Sequence, residues 1–456
     1  MMYINQFSDG RIRRPYLALG DHGKDRPLLS RASRALFERF DLLRESPLHV
    51  PDTADPVAGM HYGFDAIEAA VDRQLRRNTA LKQWVESALL EHPLWPPASL
   101  GISVMGPSQV FMAALIAKMA KMYFPETITI LGGSHVTLLS GEMSRNRRYL
   151  ENVDMILPGH SEQEFVEVIS ALDGTTPTAR TSTAHPANEP MFDYIPLFSP
   201  EQLALYPQSR LTLPVQFTRG CYYARCTYCT YPVVEPQVTK LYPENARAAF
   251  EHLANLHGTR RFSIKDSLFT PAMLDHLSRA LLREPEAAFK WSVTTKVSRQ
   301  LIKLAPRLAS AGLATVELGV ETIHSNGQRL FDKFASQQDI EDVVLAFAHS
   351  DIVVIVNLIF GLPGETIRQA QYQLAWFQEL QRSAPPGMVD CSLNMLEVVR
   401  GSPLAVGKTD GVEVRGIAPW AYCYDWNAPA WRRDFAPQLT GAELRPSGQH
   451  AHPDAA

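Results

Sequence analysis

Three cysteines within nine residues, Cys221, Cys226 and Cys229, are the densest group of metal-seeking side chains in the chain. They lie in Phe217-Thr-Arg-Gly-Cys-Tyr-Tyr-Ala-Arg-Cys-Thr-Tyr-Cys229, with spacing Cys-x4-Cys-x2-Cys. Thiolates are soft ligands suited to zinc or to iron–sulfur centres. Three ligands on one short loop can hold three corners of a cubane 4Fe-4S cluster and leave the fourth iron open to a small molecule. A structural zinc site would instead want a fourth Cys or His close by. The next histidines downstream, His252 and His257, fall on a helical pattern more than twenty residues away. The remaining cysteines, Cys391 and Cys423, are isolated, and isolated cysteines commonly act as small buried hydrophobes. An odd, clustered set of five cysteines argues for metal ligation over a disulfide framework.

The loop must be held by the elements around it. From residue 214 the pattern alternates short β-rich runs with helical periodicity. Strands are expected at 215–218, 261–264, 290–294, 315–319, 353–360 and 391–398. Helices are expected at 243–257, 271–283, 299–311, 326–334, 340–349 and 367–382. Six βα repeats predict a partial (β/α)6 TIM-type barrel with chemistry at the strand carboxyl ends, and the cysteine loop directly follows its first strand. A second α/β rhythm begins at Ser99, with strands at 100–104, 128–131 and 154–157 and helices at 110–123 and 161–172. Each strand ends in a glycine-containing turn: Met105-Gly-Pro-Ser-Gln109, Gly132-Gly-Ser-His135 and Pro158-Gly-His160. Those turns mark a ligand crevice in a Rossmann-like parallel sheet. Before Ser99, helical patterns are expected at 29–43 and 64–90. The division read from these patterns is an N-terminal extension over 1–98, an α/β domain over 99–175, a linker over 176–211, the barrel over 212–405, and a C-terminal region over 406–456 with a disordered tail. The aromatic stretch Trp420-Ala-Tyr-Cys-Tyr-Asp-Trp426 through Trp431 is expected to pack against the barrel.

Bulk properties exclude several classes. Of 456 residues, 45% are hydrophobic and 20% charged, an ordinary globular balance. A net charge of -4 gives no hint of a nucleic-acid or anionic-membrane partner. No apolar run nears the roughly 20 residues of a membrane span. The first ten residues lack a basic stretch followed by an apolar core, so a cytoplasmic protein without a signal peptide is expected.

With those residues in place, the chain resembles radical S-adenosylmethionine (SAM) enzymes, and within them the cobalamin-binding branch that modifies natural products and peptides. The superfamily's usual spacing is Cys-x3-Cys-x2-Cys; the longer first gap is shared by some cobalamin-binding members. The resemblance covers roughly residues 99–172 and 212–405. It implies SAM contacts from Tyr228 before the last cysteine, from Asp266 in Phe262-Ser-Ile-Lys-Asp-Ser-Leu-Phe269, from Glu321 in Glu317-Leu-Gly-Val-Glu-Thr322, and from Ile359 and Gly361 in Asn357-Leu-Ile-Phe-Gly-Leu-Pro-Gly-Glu-Thr366. Gly401-Ser-Pro-Leu404 resembles a turn usual in that branch. Lys296 could meet the SAM carboxylate or simply be a solvated strand-end lysine.

The resemblance likewise implies a cobalamin site lined by Gly106, Pro107, Ser108, Gln109, Gly132, Gly133, Ser134, His135, Gly159 and Glu162. The Asp-x-His-x-x-Gly signature of a lower-face histidine is absent, and His135 is read as lining the pocket rather than ligating cobalt. Where relatives carry Gly-Glu-Gly-Glu, this chain has Gly159-His-Ser-Glu162. The implied activity is C-methylation of an unactivated carbon in a small-molecule or peptide substrate through a 5′-deoxyadenosyl radical. It would use SAM, a 4Fe-4S cluster, cobalamin and an electron donor such as flavodoxin or ferredoxin. Two alternatives stand: a non-methylating rearrangement or cyclisation with the same cofactors, and a zinc-stabilised interaction protein.

Overall fold

A computed structural model describes residues 63–78, 80–90, 97–146, 148, 151–172, 196, 198–204, 206, 208, 211–240, 246–283, 288–407 and 411–440. The expected helix at 29–43, most of the linker and the tail after 440 lie outside the described residues. The described residues fall into two units, each with its own hydrophobic core.

The first unit is built on a parallel sheet in the order β1 (Ser99–Ser103), β2 (Ile128–Gly132), β3 (Met155–Leu157). Helices α1 (Phe64–Arg77), α2 (Ala80–Leu90), α3 (Val110–Tyr123), α4 (Ser134–Met143) and α5 (Glu162–Leu172) accompany it. The helical pattern at 64–90 is two helices, because Asn78 takes a left-handed conformation (φ 47°) that ends α1. Helix α3 is apolar nearly all round and buries Val110, Phe111, Met112, Leu115, Ile116 and Met119, as a helix enclosed by its unit must. Helix α4 was not expected between the second and third strands. Its buried residues His135, Val136, Leu139 and Met143 do share a helical face. Two serines, a threonine and Gly141 within ten residues obscure that period.

Residues 397–427 belong to this first unit, which corrects the expected boundary of the barrel at 405. Arg400 forms an ion pair with Glu142 of α4 and donates to the carbonyls of Ala421 (3.0 Å) and Ala418 (3.1 Å). Glu142 also accepts from the backbone N–H of Trp420 at 2.7 Å. The Trp420 ring packs edge-on against Phe64, with centroids 4.5 Å apart. The aromatic stretch therefore splits. Trp420 fills the first core, whereas Trp431 packs on the second and donates its indole N–H to the Glu365 carbonyl. An indole this large goes where a cavity admits it, which periodicity cannot reveal.

The second unit is a six-stranded parallel sheet whose strands neighbour one another in chain order: β4 (Leu213–Val215), β7 (Arg261–Ile264), β8 (Lys290–Lys296), β9 (Leu313–Glu321), β10 (Val353–Phe360) and β11 (Val389–Met395). A small antiparallel pair, β5 (Thr218–Arg219) and β6 (Thr239–Lys240), follows β4. The crossover helices are α6 (Ala246–His257), α7 (Pro271–Leu282), α8 (Gln300–Ser310), α9 (Ser325–Phe331) with α10 (Gln337–Ala348), and α11 (Ile367–Ser383). This is the α/β partial barrel expected from the repeats. On β10, Val354, Val356, Leu358 and Phe360 on one face and Ile355 and Ile359 on the other are all buried, as in a sheet covered on both faces. Helix α11 begins with a capping box between Thr366 and Gln369. The β9–β10 register runs Gly319↔Asn357 and then Glu321↔Leu358, leaving Val320 as a bulge at the carboxyl end of β9. Among the described residues no helix is long and apolar enough to cross a membrane.

Candidate active site

The cysteine loop leaves the end of β4 held from two sides. On one side Asp266, just past β7, accepts the Phe217 backbone N–H at 2.7 Å and the Thr218 hydroxyl at 2.6 Å. Ser267 donates to the Gly220 carbonyl at 2.5 Å. Gly220 has φ 81°, and a Cβ there would lie 2.3 Å from the Gln237 carbonyl oxygen, so only glycine lets the two segments approach. On the other side, the carboxyl end of α9 receives the loop. Thr227 donates its hydroxyl to the Leu330 carbonyl at 2.6 Å and its N–H to the Phe331 carbonyl at 3.4 Å. The Tyr223 hydroxyl donates to the Asp332 carbonyl, and Arg225 pairs with the Asp332 carboxylate at 3.5 Å. Lys296 Nζ sits 3.6 Å from the Tyr223 ring centroid, a cation–π contact that accounts for that lysine without a ligand. Ala224, inside the longer first gap, is held left-handed at φ 50°.

All three thiols are free and half-buried. The Cys229 N–H donates to the Cys226 carbonyl at 3.1 Å, and the Cys229 Sγ accepts from the Tyr231 N–H at 3.4 Å. Burial pushes the Cys229 thiol up to about 11, with the neighbouring Cys226 and Cys221 charges adding to it. Burial raises Cys226 too. A bound cation would displace those protons and offset the cost of burying thiolates together. Among the described residues no three His, Cys, Asp or Glu are gathered around a single ion position. The donor set is nevertheless one that suits an iron–sulfur cluster: three soft sulfurs on one loop braced by its own hydrogen bonds.

Tyr228 lies with its ring edge on Phe331, centroids 4.7 Å apart. Burial first, and then the Glu321 carboxylate, hold its phenol protonated well above the ordinary range. Glu321 takes a left-handed backbone conformation (φ 66°) at the β9 bulge and accepts from Lys333 Nζ at 2.7 Å. Gly319 makes room for that pair: a Cβ there would sit 2.5 Å from Lys333 Nζ and 2.9 Å from Glu321 Oε1. At the end of β10, Gly361 (φ 76°) and Leu362 donate their N–H groups to Glu365 Oε2 at 2.6 and 2.9 Å. Burial pushes Glu365 up to about 7. Buried Gln373 donates to the Ile359 carbonyl at 3.1 Å and accepts from the Ile323 N–H at 3.0 Å, tying β10 to the segment after β9.

The strand-end residues named from sequence in this unit thus all lie on the carboxyl side of one sheet, but their roles differ. Both carboxylate oxygens of Asp266 hold the cysteine loop, and burial raises its pKa to about 6. Sequence reasoning missed Lys333, Thr227, Gln373 and Glu365. Only Glu365 carried a signal, as the acid closing Gly-Leu-Pro-Gly-Glu.

In the first unit the three glycine turns meet at the carboxyl ends of β1–β3. Ser134 donates its hydroxyl to the Met105 carbonyl at 2.9 Å, and the Thr137 hydroxyl accepts the Gly159 N–H at 2.8 Å. Gln109 Oε1 accepts the Met105 N–H at 2.6 Å, and Gly106 starts the one-turn helix Pro107–Gln109 that contains Ser108. Gly133 (φ 100°) is required by the chain itself, since a Cβ would lie 2.5 Å from the Val104 carbonyl oxygen. Gly132 lies close under the Leu157 carbonyl, whereas the space beside Gly159 is open. Glu162 begins α5 and is exposed. His135 is buried, and neither ring nitrogen has a partner among the described residues. Its ring stacks on Tyr422 at 5.4 Å, and burial, reinforced by the Arg400 charge, lowers it to about 4. His135 is thus a buried, neutral imidazole in the first turn of α4, directly after the glycine pair that closes β2.

Residues 215–372 match the radical SAM superfamily. The chain is 23% identical over 293 residues to an uncharacterized methyltransferase of Pyrococcus horikoshii, covering 60% of this chain and 62% of that one. It is 22% identical over 314 residues to the anaerobic magnesium-protoporphyrin IX monomethyl ester cyclase of Cereibacter sphaeroides, covering 61% and 49%. The chain thus spans 62% and 49% of the length of these two curated relatives. In fold it is similar to the radical SAM methyltransferase TsrM from Kitasatospora setae with cobalamin and a [4Fe-4S] cluster bound (TM-score 0.53, 16% identity, 82% of this chain and 79% of that one). It is also similar to the cobalamin-dependent SAM radical enzyme OxsB with aqua-cobalamin bound (TM-score 0.54, 12% identity, 79% and 59%).

Proposed function

We propose that this chain, whose residues 215–372 match the radical SAM superfamily, is a cytoplasmic, cobalamin-dependent radical SAM enzyme that methylates an unactivated carbon of a natural-product or peptide substrate. The observation that carries the reading is the cysteine loop, three free thiols on a segment clamped by Asp266 on one side and the end of α9 on the other. Cys221, Cys226 and Cys229 would hold a 4Fe-4S cluster, and the β1–β3 turns with His135 would hold cobalamin. When bound, the cluster supplies the electron that breaks a carbon–sulfur bond of SAM, and cobalamin supplies a methyl carrier.

The chain's own groups do the positioning. Asp266 fixes the start of the loop, so the thiols are presented without reorganisation. Glu321, held by Lys333 at the end of β9, would share its carboxylate with the amino or ribose groups of SAM, while Tyr228 and Ile359 would give the adenine an apolar wall. Glu365 holds the Gly361–Leu362 turn, leaving that backbone close enough to contact the ring edge. His135 stays neutral and can line the corrin. An electron donor such as flavodoxin or ferredoxin completes the reading.

Anaerobic reconstitution with iron, sulfide and cobalamin, followed by mass spectrometry, tests it. The expected products are 5′-deoxyadenosine, S-adenosylhomocysteine and a substrate one methyl heavier. Cys226→Ala is expected to abolish 5′-deoxyadenosine while the far-UV circular dichroism stays unchanged; persistent formation refutes the ligand assignment. The cyclase relatives support a second reading, a cyclisation that keeps the substrate's carbon count. Its signature would be 5′-deoxyadenosine without S-adenosylhomocysteine.

A further inference from the structure

The Glu321–Lys333 pair occupies an unusual position. It is almost sealed from solvent, with side-chain exposures of 9% and 13%. Three separate features converge to build it: the Val320 bulge, the left-handed Glu321 and the bare Cα of Gly319. Lys333 directly follows Asp332, itself left-handed at φ 49°, so the turn that anchors the cysteine loop through the Leu330, Phe331 and Asp332 carbonyls also carries this ammonium. Phe331, two residues before Lys333, packs against the Tyr228 ring between the last two cysteines, with centroids 4.7 Å apart, which sets the pair next to the loop. Burial opposes the charge on Lys333, but the Glu321 carboxylate outweighs it and keeps the amine protonated.

A buried ion pair rarely repays its own desolvation as a stability device. Its placement beside three thiols suggests another use. A site that already concentrates thiolate charge, and that must accept an electron, is sensitive to any uncompensated carboxylate nearby. We propose that Lys333 is a positioning residue that neutralises Glu321 beside the cysteine loop and so makes the cluster easier to reduce. The proposal rests on the cluster reading above.

The test is an anaerobic redox titration of the reconstituted full-length protein, without SAM, following the reduced cluster by electron paramagnetic resonance. Lys333→Met is expected to lower the reduced-to-oxidised ratio at fixed potential roughly tenfold, about 59 mV for one electron. Lys333→Arg is expected to keep the wild-type midpoint. The double variant Glu321→Gln/Lys333→Met removes both charges and is expected to return the midpoint toward wild type, a recovery that a purely structural lysine would not produce. Glu321→Gln alone should move the midpoint upward, which keeps the test decisive if Lys333→Met assembles no cluster. An unchanged midpoint in Lys333→Met, or in Glu321→Gln where only that variant assembles, overturns the proposal. So does a double variant as hard to reduce as Lys333→Met. Failure of the wild type to assemble any cluster overturns the functional reading itself, and the proposal with it.

Discussion

Asp266→Asn separates a residue that holds the loop from one that touches SAM. Asp266 is 2% exposed and held at about 6 against an ordinary 3.8. Burial is the main cause, partly offset by the bonds from Thr218 and Phe217. Between those two values the folded chain keeps a proton that the unfolded chain has lost. Stability therefore falls as pH rises through that window and levels off above about 6. At 1.36 kcal/mol per pH unit, the full effect is about 3 kcal/mol. Asparagine keeps an acceptor for the Phe217 N–H, and the Thr218 hydroxyl can turn to accept from the new amide. The variant should thus fold with the same bonds and without the pH-dependent cost. Urea unfolding of the full chain without iron, at several values between about pH 4 and 8, is expected to show Asn gaining on Asp by about 3 kcal/mol across the range. Parallel profiles for the two proteins would refute the buried, loop-facing carboxylate. SAM affinity of the reconstituted variant gives the second readout. It is expected to match wild type, and a large loss would return Asp266 to direct contact with SAM.

Two further expectations follow from backbone geometry. Ala224→Gly should stabilise the chain by about 1 kcal/mol in denaturant unfolding, because alanine at φ 50° is strained and glycine is not; a loss of stability would show that the left-handed conformation is not adopted. Gly133→Ala should cost more than about 1 kcal/mol, since the added Cβ meets the Val104 backbone at 2.5 Å and the position has φ 100°. Its cobalamin binding, followed by absorbance, should weaken with it, and unchanged stability and binding would show that β1 and β2 do not approach so closely there.

What could be read directly was local. The cysteine trio, the strand–helix alternation and the glycine turns are patterns over a few residues, so backbone conformation and ligand chemistry expose them. The Gly-Leu-Pro-Gly-Glu segment belongs with them, because Glu365 reaches back only three or four residues to its donors. Helix α4 sat at the edge of legibility, its period diluted by small polar residues.

Tertiary structure decided everything that depends on which distant groups meet. Asp266 stands 49 positions along the chain from the N–H it accepts, and Thr227 stands 103 from its carbonyl partner. Lys333 carries no motif, yet the bulge in β9 and the bare Gly319 bring its ammonium onto Glu321. The return of residues 397–427 to the first unit hangs on Glu142, 278 positions from the Trp420 N–H it receives. Spacing along a chain records its local geometry. A buried charge or indole finds its place through desolvation and cavity shape, and those exist only once the chain has folded.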